Sequence, residues 1–250
     1  MLQFHLAHME TQKSGNVRKE YEDAYAYSPR TTRFTKSNIL RIALADGASE
    51  SAFSQRWAKL LVDDYAAKPY VRRETLLRRS RRLATEWYKE VSKPDLPWYT
   101  EEKIRIGAFS TLLGLCICKD SSQLKAISIG DTCLFQIRND QLILAWPLEK
   151  KEDFSRFPKL LPTNHNVALE SISKKIAITN GQAKIEDLFV LATDALSAWF
   201  LEQNEKAKQP WLTLTGIDAH GFEAWIENLR NNSQIRNDDV TCIICRVVEA

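Results

Sequence analysis

Residues 38–47 read Asn-Ile-Leu-Arg-Ile-Ala-Leu-Ala-Asp-Gly: an apolar run that stops at Asp46-Gly47. Its length and its β-branched, aliphatic make-up are those of a buried strand, and Asp-Gly is a turn signal at the strand's end. The same arrangement recurs along the chain. Glu22-Asp23 stands beside the alternating Tyr25 and Tyr27. Leu124–Ile129 leads to Asp131, Leu188–Thr193 leads to Asp194, and Asp238-Asp239 adjoins the apolar run Val240–Val248. A carboxylate at the mouth of a buried strand is desolvated and costly unless it is paired or bound to a cation. Several of them converging would raise one another's pKa unless a metal neutralised them. Carboxylates with backbone carbonyls are hard oxygen donors, suited to Mg²⁺ or Mn²⁺ rather than zinc. Taken singly, an Asp before Gly is most often a turn residue and an Asp before a helix most often an N-cap. Asp194, just ahead of a helix-like stretch, could be only a cap. Five such positions in one chain favour the metal reading.

Working outward, Leu2, Phe4 and Leu6 alternate as in a strand, and Phe53, Trp57, Leu60 and Leu61 recur at helical spacing. A second helix is expected from about Arg72 to Val91, closed by Pro94 and Pro97. Strands are expected in Gly107–Cys118, Leu124–Ile129 and Cys133–Ile137, with Asn139-Asp140 turning into Leu142–Leu144 as a hairpin. Residues 147–166 hold three prolines, many charges and no period, and read as a loop or flap. Ile176–Ile178, Leu188–Thr193 and Val240–Val248 read as strands; Ala195–Gln203 and Phe222–Leu229 read as helices. Strict β-α-β alternation is absent, so antiparallel sheets covered by helix pairs are expected.

Composition sets the outer bounds. The chain has 250 residues, 44% hydrophobic and 27% charged, enough for a large core, and 1–250 reads as a single domain. A net charge of +3 is too weak a bias to argue for nucleic acid. No apolar run approaches the ~18–20 residues of a membrane span, and the start lacks the basic and apolar regions of a signal peptide. A cytoplasmic protein is expected. The five cysteines, Cys116, Cys118, Cys133, Cys242 and Cys245, are an odd count in apolar surroundings and read as buried reduced thiols. Cys242 and Cys245 would point to opposite faces of a strand, which disfavours a zinc knuckle. His5, His8, His165 and His220 are not expected to ligate metal. Trp57, Trp87, Trp199 and Trp225 sit at apolar helical positions and read as packing residues. Arg72, Arg73, Arg78, Arg79, Arg81 and Arg82 crowd one helix, more often a solvated face than a docking site.

Six motifs in order carry a resemblance: Gly15-Asn16-Val17-Arg18-Lys19-Glu20-Tyr21-Glu22-Asp23-Ala24, Ala45-Asp46-Gly47, Gly107-Ala108-Phe109-Ser110-Thr111, Ile129-Gly130-Asp131-Thr132, Leu191-Ala192-Thr193-Asp194 and Asp238-Asp239-Val240-Thr241. Together they resemble the type-2C, metal-dependent (PPM) serine/threonine protein phosphatases, in a bacterial-type single-domain form, over nearly the whole chain. The resemblance implies an α+β fold, a four-layer α-β-β-α sandwich of two antiparallel sheets flanked by helix pairs, with 147–166 as a variable flap. It implies two Mg²⁺ or Mn²⁺ ions, with Asp46 bridging them. Asp194 and Asp238 would complete one site, and Glu22 with the Gly47 carbonyl the other. Asp131 with Asp194 would match a third. Arg18 would hold the substrate phosphate, with Asp46 and Asp194 catalytic through the metals. The implied reaction is hydrolysis of phosphoserine or phosphothreonine by a metal-activated water, without a covalent intermediate. Implied partners are a phosphorylated protein and a cognate Ser/Thr kinase, with no nucleic acid and no membrane, for a monomer. The chain departs from the pattern at Ala48, where some members carry a His, at Ala195 in place of Gly, at Asp239 in place of Asn and at Thr132-Cys133. These departures leave a second reading open: a weakly active or inactive member that signals by binding.

Overall fold

A computed structural model describes residues 2–28, 38–93, 97–155, 157–164 and 169–249. Along the chain run β1 (Leu2–Thr11), β2 (Ala24–Ser28), β3 (Ile39–Ala45), α1 (Ser54–Ala67), α2 (Arg73–Val91), α3 (Trp98–Ile106), β4 (Phe109–Ser110), β5 (Leu112–Cys118), β6 (Gln123–Ile129), β7 (Cys133–Arg138) and β8 (Gln141–Trp146). There follow β9 (Leu161–Pro162), α4 (Leu169–Ser173), β10 (Ala177–Gln182), β11 (Leu188–Ala192), α5 (Asp194–Glu205), α6 (Pro210–Gly216), α7 (Ala219–Asn231) and β12 (Val240–Glu249).

The strands form two antiparallel five-stranded sheets, ordered β1-β12-β11-β7-β8 and β10-β6-β5-β3-β2, with β4 and β9 paired as a small third. Side chains on successive strand residues point to opposite faces, and in the inner strands both faces are largely buried. Leu40, Ile42 and Leu44 of β3 meet Leu113, Leu115 and Ile117 of β5 and Ile243, Cys245 and Val247 of β12 between the sheets. Ala43 and Ala45 face outward onto α1 and α2 through Trp57, Leu61, Tyr65, Leu83 and Trp87. On the other side, Phe135, Val190, Cys242 and Ile244 pack under Leu196, Phe200, Trp211, Phe222 and Ile226 of α5, α6 and α7. The result is the expected four-layer α-β-β-α sandwich. Burial on both faces explains why the inner strands β3, β5, β7, β11 and β12 read as continuous apolar runs, while the edge strand β1 alternates.

The hairpin expected at Asn139-Asp140 joins β7 to β8. Both turn residues take left-handed φ, 50° and 53°, the conformation that a two-residue turn between twisted strands requires and that Asn and Asp tolerate. Cys242 and Cys245 fall in different cores, as their spacing predicts. Two thiols differ from expectation: Cys116 and Cys118 are only half-buried, on the outer part of β5. Three helices have no counterpart in the periodicity. In α3 only Ile104 is buried, so no apolar stripe marks it; α4 and α6 are five and seven residues long, too short to show a period. Pro97 stands at the N-cap of α3 and so opens a helix, while α2 stops at Val91; Pro94 lies outside the described residues, as do His165 and Asn166. The flap region holds β9, so it is not wholly irregular. The arginine-rich face of α2 is partly structural. Arg79 and Arg82 pair with Asp64 of α1, and Arg73 Nε donates to the Ile176 carbonyl at 3.0 Å, whereas Arg72, Arg78 and Arg81 are exposed.

Candidate metal centre

The acidic residues sit at one end of the sandwich, where β3, β6, β11 and β12 begin or end. Asp46 follows β3. Its backbone is fixed on both sides: its N–H donates to Thr111 Oγ1 at 2.8 Å, and its carbonyl accepts from Thr111 N and Ser110 Oγ, each at 2.8 Å. Thr111 Oγ1 is in turn 2.7 Å from buried Thr132 Oγ1. The Gly-Ser-Thr-like strand and the Thr132 departure therefore serve one purpose, holding Asp46. Gly47 is a point of close approach. A Cβ there would lie 2.9 Å from the Glu22 carbonyl and 3.0 Å from Ser54 Cβ, so only glycine lets the Glu22 segment lie against the start of α1. At Gly130, φ of +107° turns the chain out of β6 and delivers Asp131 to the same end.

Asp194 is the first residue of α5, and Thr193, not Asp194, is the N-cap. The cap reading of Asp194 therefore fails. Its Oδ1 accepts from Ala195 N and its Oδ2 pairs with Arg236. Ala195 lies within the helix and outside the positive-φ residues, so alanine costs nothing there. The Thr193 hydroxyl is spent inward instead, donating to Asp23 Oδ2 at 3.1 Å and accepting from Thr241 N at 3.0 Å. Asp23 also accepts from Thr241 Oγ1 at 2.7 Å, while its Oδ1 is buried without a hydrogen-bond partner.

Glu22 is half-buried and receives hydrogen bonds from Ser54 and Ser49. Asp239, where the resembled family has Asn, accepts the backbone N–H of Lys13 and of Glu22, each at 2.7 Å. Its charge is thus used to staple the 13–22 segment to the start of β12. Arg18 lies beside that staple. It pairs with Glu10, which faces Thr241 across β1 and β12, and its guanidinium stands 4.4 Å over the Tyr21 ring. Tyr21 OH shares a hydrogen bond with Thr241 Oγ1. With its side chain 58% exposed, Arg18 is oriented by these contacts yet reachable from solvent.

The electrostatics bind these positions together. Burial raises the Asp46 carboxyl well above its ordinary value, and Asp23, Asp194, Asp131 and Asp238 push it the same way. Asp131 is pushed up to about 7 by burial and then by Asp194. Asp23 is raised well above its usual range by burial, then by Asp239 and Asp194, and Glu22 is raised mainly by burial. Such mutual repulsion among oxygen donors, with an orphaned buried carboxylate oxygen in their midst, fits a hard divalent cation in donor chemistry. The side chains are not closed on a point: among the described residues no three His, Cys, Asp or Glu groups are placed to hold an ion together. A cation of the protein's own stands there. Arg236 Nη2 pairs with Asp194 and lies 3.1 Å from Asp238 Oδ2.

The structure thus brings Glu22, Asp46, Gly47, Asp131, Asp194 and Asp238 to one end of the sandwich, with Arg18 at the edge. Sequence reasoning missed Arg236, although a cation two residues before Asp238 was visible. It also gave no role to Asp23, Thr193 and Thr241, whose hydrogen bonds cross between β2, β11 and β12.

Solved structures share this architecture. The catalytic domain of the serine/threonine protein phosphatase PstP, in complex with two manganese ions, superposes with a TM-score of 0.60 at 19% identity over 100% of both chains. A bacterial serine phosphatase gives 0.62 at 13% identity over 99% of both chains. The serine/threonine phosphatase of S. agalactiae gives 0.60 at 13%, over 99% of this chain and 100% of that one. This chain has their fold. No protein-family model and no curated protein matches it in sequence. At these identities the phosphatase fold is shared while most side chains differ, so function rests on the residues at the acidic end.

Proposed function

We propose that this chain is a metal-dependent phosphatase that removes phosphate from phosphoserine or phosphothreonine in proteins. The observation that carries the reading is the oxygen-only donor set at the end of a phosphatase fold: Glu22, Asp46, Asp131 and Asp194, raised in pKa by burial and then by neighbouring carboxylates, with Asp238 beside them. Glu22 and the Gly47 carbonyl would hold one ion, Asp194 and Asp238 a second, Asp46 both, and Asp131 with Asp194 a third. Bound there, Mg²⁺ or Mn²⁺ would supply a water acidic enough to attack phosphorus and would offset phosphoryl charge. Arg18 supplies a permanently charged fork for the phosphoryl oxygens, positioned by Glu10 and Tyr21. Thr111 and the Asp239 staple hold the Asp46 and Glu22 backbones at fixed separation, so the chain's share of the chemistry is positioning.

The substrate on this reading is a phosphorylated protein, paired with a Ser/Thr kinase that supplies it, in a monomer acting in the cytoplasm; 147–166 would influence substrate choice. The second reading, a weakly active module that signals by binding, is favoured by Arg236 standing between Asp194 and Asp238 and by Ala48, which offers no proton donor. Hydrolysis of a phosphothreonine peptide with and without Mn²⁺, by wild type, Asp46→Asn and Asp194→Asn, separates the two. Metal-dependent release lost in both variants supports the enzyme. No release from folded protein at any Mn²⁺ or Mg²⁺ level overturns it.

A further inference from the structure

A cavity of about 460 Å³ opens beside Asp131 on the flap side of the acidic end. Its wall is basic. Arg73, Lys159, Lys174 and Lys175 line it, and among the described residues none of the four forms an ion pair. The Arg73 bond to the Ile176 carbonyl uses Nε and pins the guanidinium to the wall, leaving its terminal nitrogens for a ligand. The lysines come from separate segments, the flap and the turn between α4 and β10, so the charge belongs to the cavity rather than to one solvated helix face. Of the two acids lining it, Asp153 is committed to the backbone N–H groups of Glu149 and Lys150 at 3.1 and 3.0 Å, and Asp131 belongs to the acidic cluster. Phe157 stands at the same cavity 89% exposed, an aromatic that none of the described residues buries.

We propose that this cavity binds an acidic segment of the protein substrate, anionic side chains flanking the phosphorylated residue, with Phe157 packing on the segment's backbone or apolar groups. The inference rests on the phosphatase reading for its substrate and deepens it. Charge complementarity commits the occupant. Unpaired lysines attract carboxylates or a second phosphate, whereas a nucleic-acid backbone long enough to pass the cavity would run onto the carboxylates of the acidic end. Adjacency to Asp131 puts the anchored segment beside the proposed reaction centre, so that the anchoring acts on substrate affinity rather than on the chemical step.

The test is fluorescence anisotropy of labelled peptides on the full chain, with steady-state hydrolysis in Mn²⁺ alongside. Phosphothreonine peptides flanked by glutamates, by phosphoserines or by glutamines are compared on wild type, Lys174→Glu/Lys175→Glu and Phe157→Ala. The two anionic peptides are expected to bind about tenfold tighter than the glutamine peptide, a preference that added salt weakens. The paired charge reversal, on exposed residues, is expected to erase it, raising KM for anionic peptides with kcat unchanged. Glutamate peptides matching phosphoserine peptides would assign simple acidity; a phosphoserine-only preference would assign a second phosphate. Equal binding of anionic and neutral peptides, or a preference that survives the charge reversal, overturns the inference. Its failure is separable from that of the phosphatase reading: preference without hydrolysis leaves the cavity standing, and hydrolysis without preference leaves the enzyme standing.

Discussion

Arg236 offers the sharpest single perturbation. Its Nη2 pairs with Asp194 Oδ2 and lies 3.1 Å from Asp238 Oδ2, so a divalent ion entering that half of the cluster must displace a resident cation. A unit charge pair at 3.1 Å is worth about 5 kcal/mol at an effective dielectric near 20, and about 1 kcal/mol in water. The Arg236 side chain is 57% exposed, while those of Asp194 and Asp238 are 9% and 31% exposed, so the pairing is partly screened. Discounted toward the value of surface pairs, the two contacts together stabilise the metal-free arrangement by about 1–2 kcal/mol. Arg236→Met keeps most of the aliphatic stem and removes the charge. Mn²⁺ titrated into EDTA-stripped protein, with free Mn²⁺ followed by electron paramagnetic resonance, is expected to show at least one class of site tightened about 5- to 30-fold. The metal-free variant is expected to melt lower than wild type, because Asp194 and Asp238 then repel without a counter-ion, and Mn²⁺ is expected to raise its melting temperature by more. Arg236→Lys, which keeps the charge without the planar fork, is expected to fall between. Unchanged or weaker Mn²⁺ binding in Arg236→Met, with the protein folded, would refute the idea that the guanidinium and the metal compete for the same oxygens.

Other outcomes follow from the same geometry. Raising the pH from about 4 to about 7 is expected to lower the melting temperature of the metal-free protein. Asp131 titrates near 7 when folded against about 3.9 when unfolded, so its contribution is fully present at low pH and lost through that window. Asp131→Asn is expected to flatten the dependence in thermal melts. Asp239→Asn is expected to cost about 1–2 kcal/mol in urea unfolding, because a carboxylate that accepts two backbone N–H groups is replaced by an amide with one acceptor oxygen. Gly114→Ala is expected to cost about 1–3 kcal/mol, since its Cβ would fall 2.3 Å from the Tyr65 ring, and Tyr65→Leu is expected to restore part of that loss in the double variant.

The layers of this fold were legible because burial on both faces writes a strand as an unbroken apolar run, and the acids that end those runs mark one end of the sandwich. Leu40 to Ala45 is the case in point: apart from Arg41, which reaches the carbonyls at the end of α1, alternate residues serve two different cores, and the carboxylate appears only where both cores stop. What stayed hidden was whatever packing does not impose. The helix α3 buries only Ile104, so no period could announce it. The roles of Asp23, Thr193 and Thr241 depend on strands 48 to 218 residues apart meeting in register, a relation absent from any local window. Asp239 shows why a motif is weaker than its geometry. In sequence it is a departure that adds charge to a crowded site; in the structure the extra oxygen takes an N–H of its own, and the added acid ties Lys13 and Glu22 in place. Arg236 carries the converse lesson. The motifs supply the carboxylates, yet the positive charge that pairs with Asp194 and Asp238 in the structure comes from a residue outside every motif, because a cluster of carboxylates is neutralised by whichever positive charge reaches it at least cost.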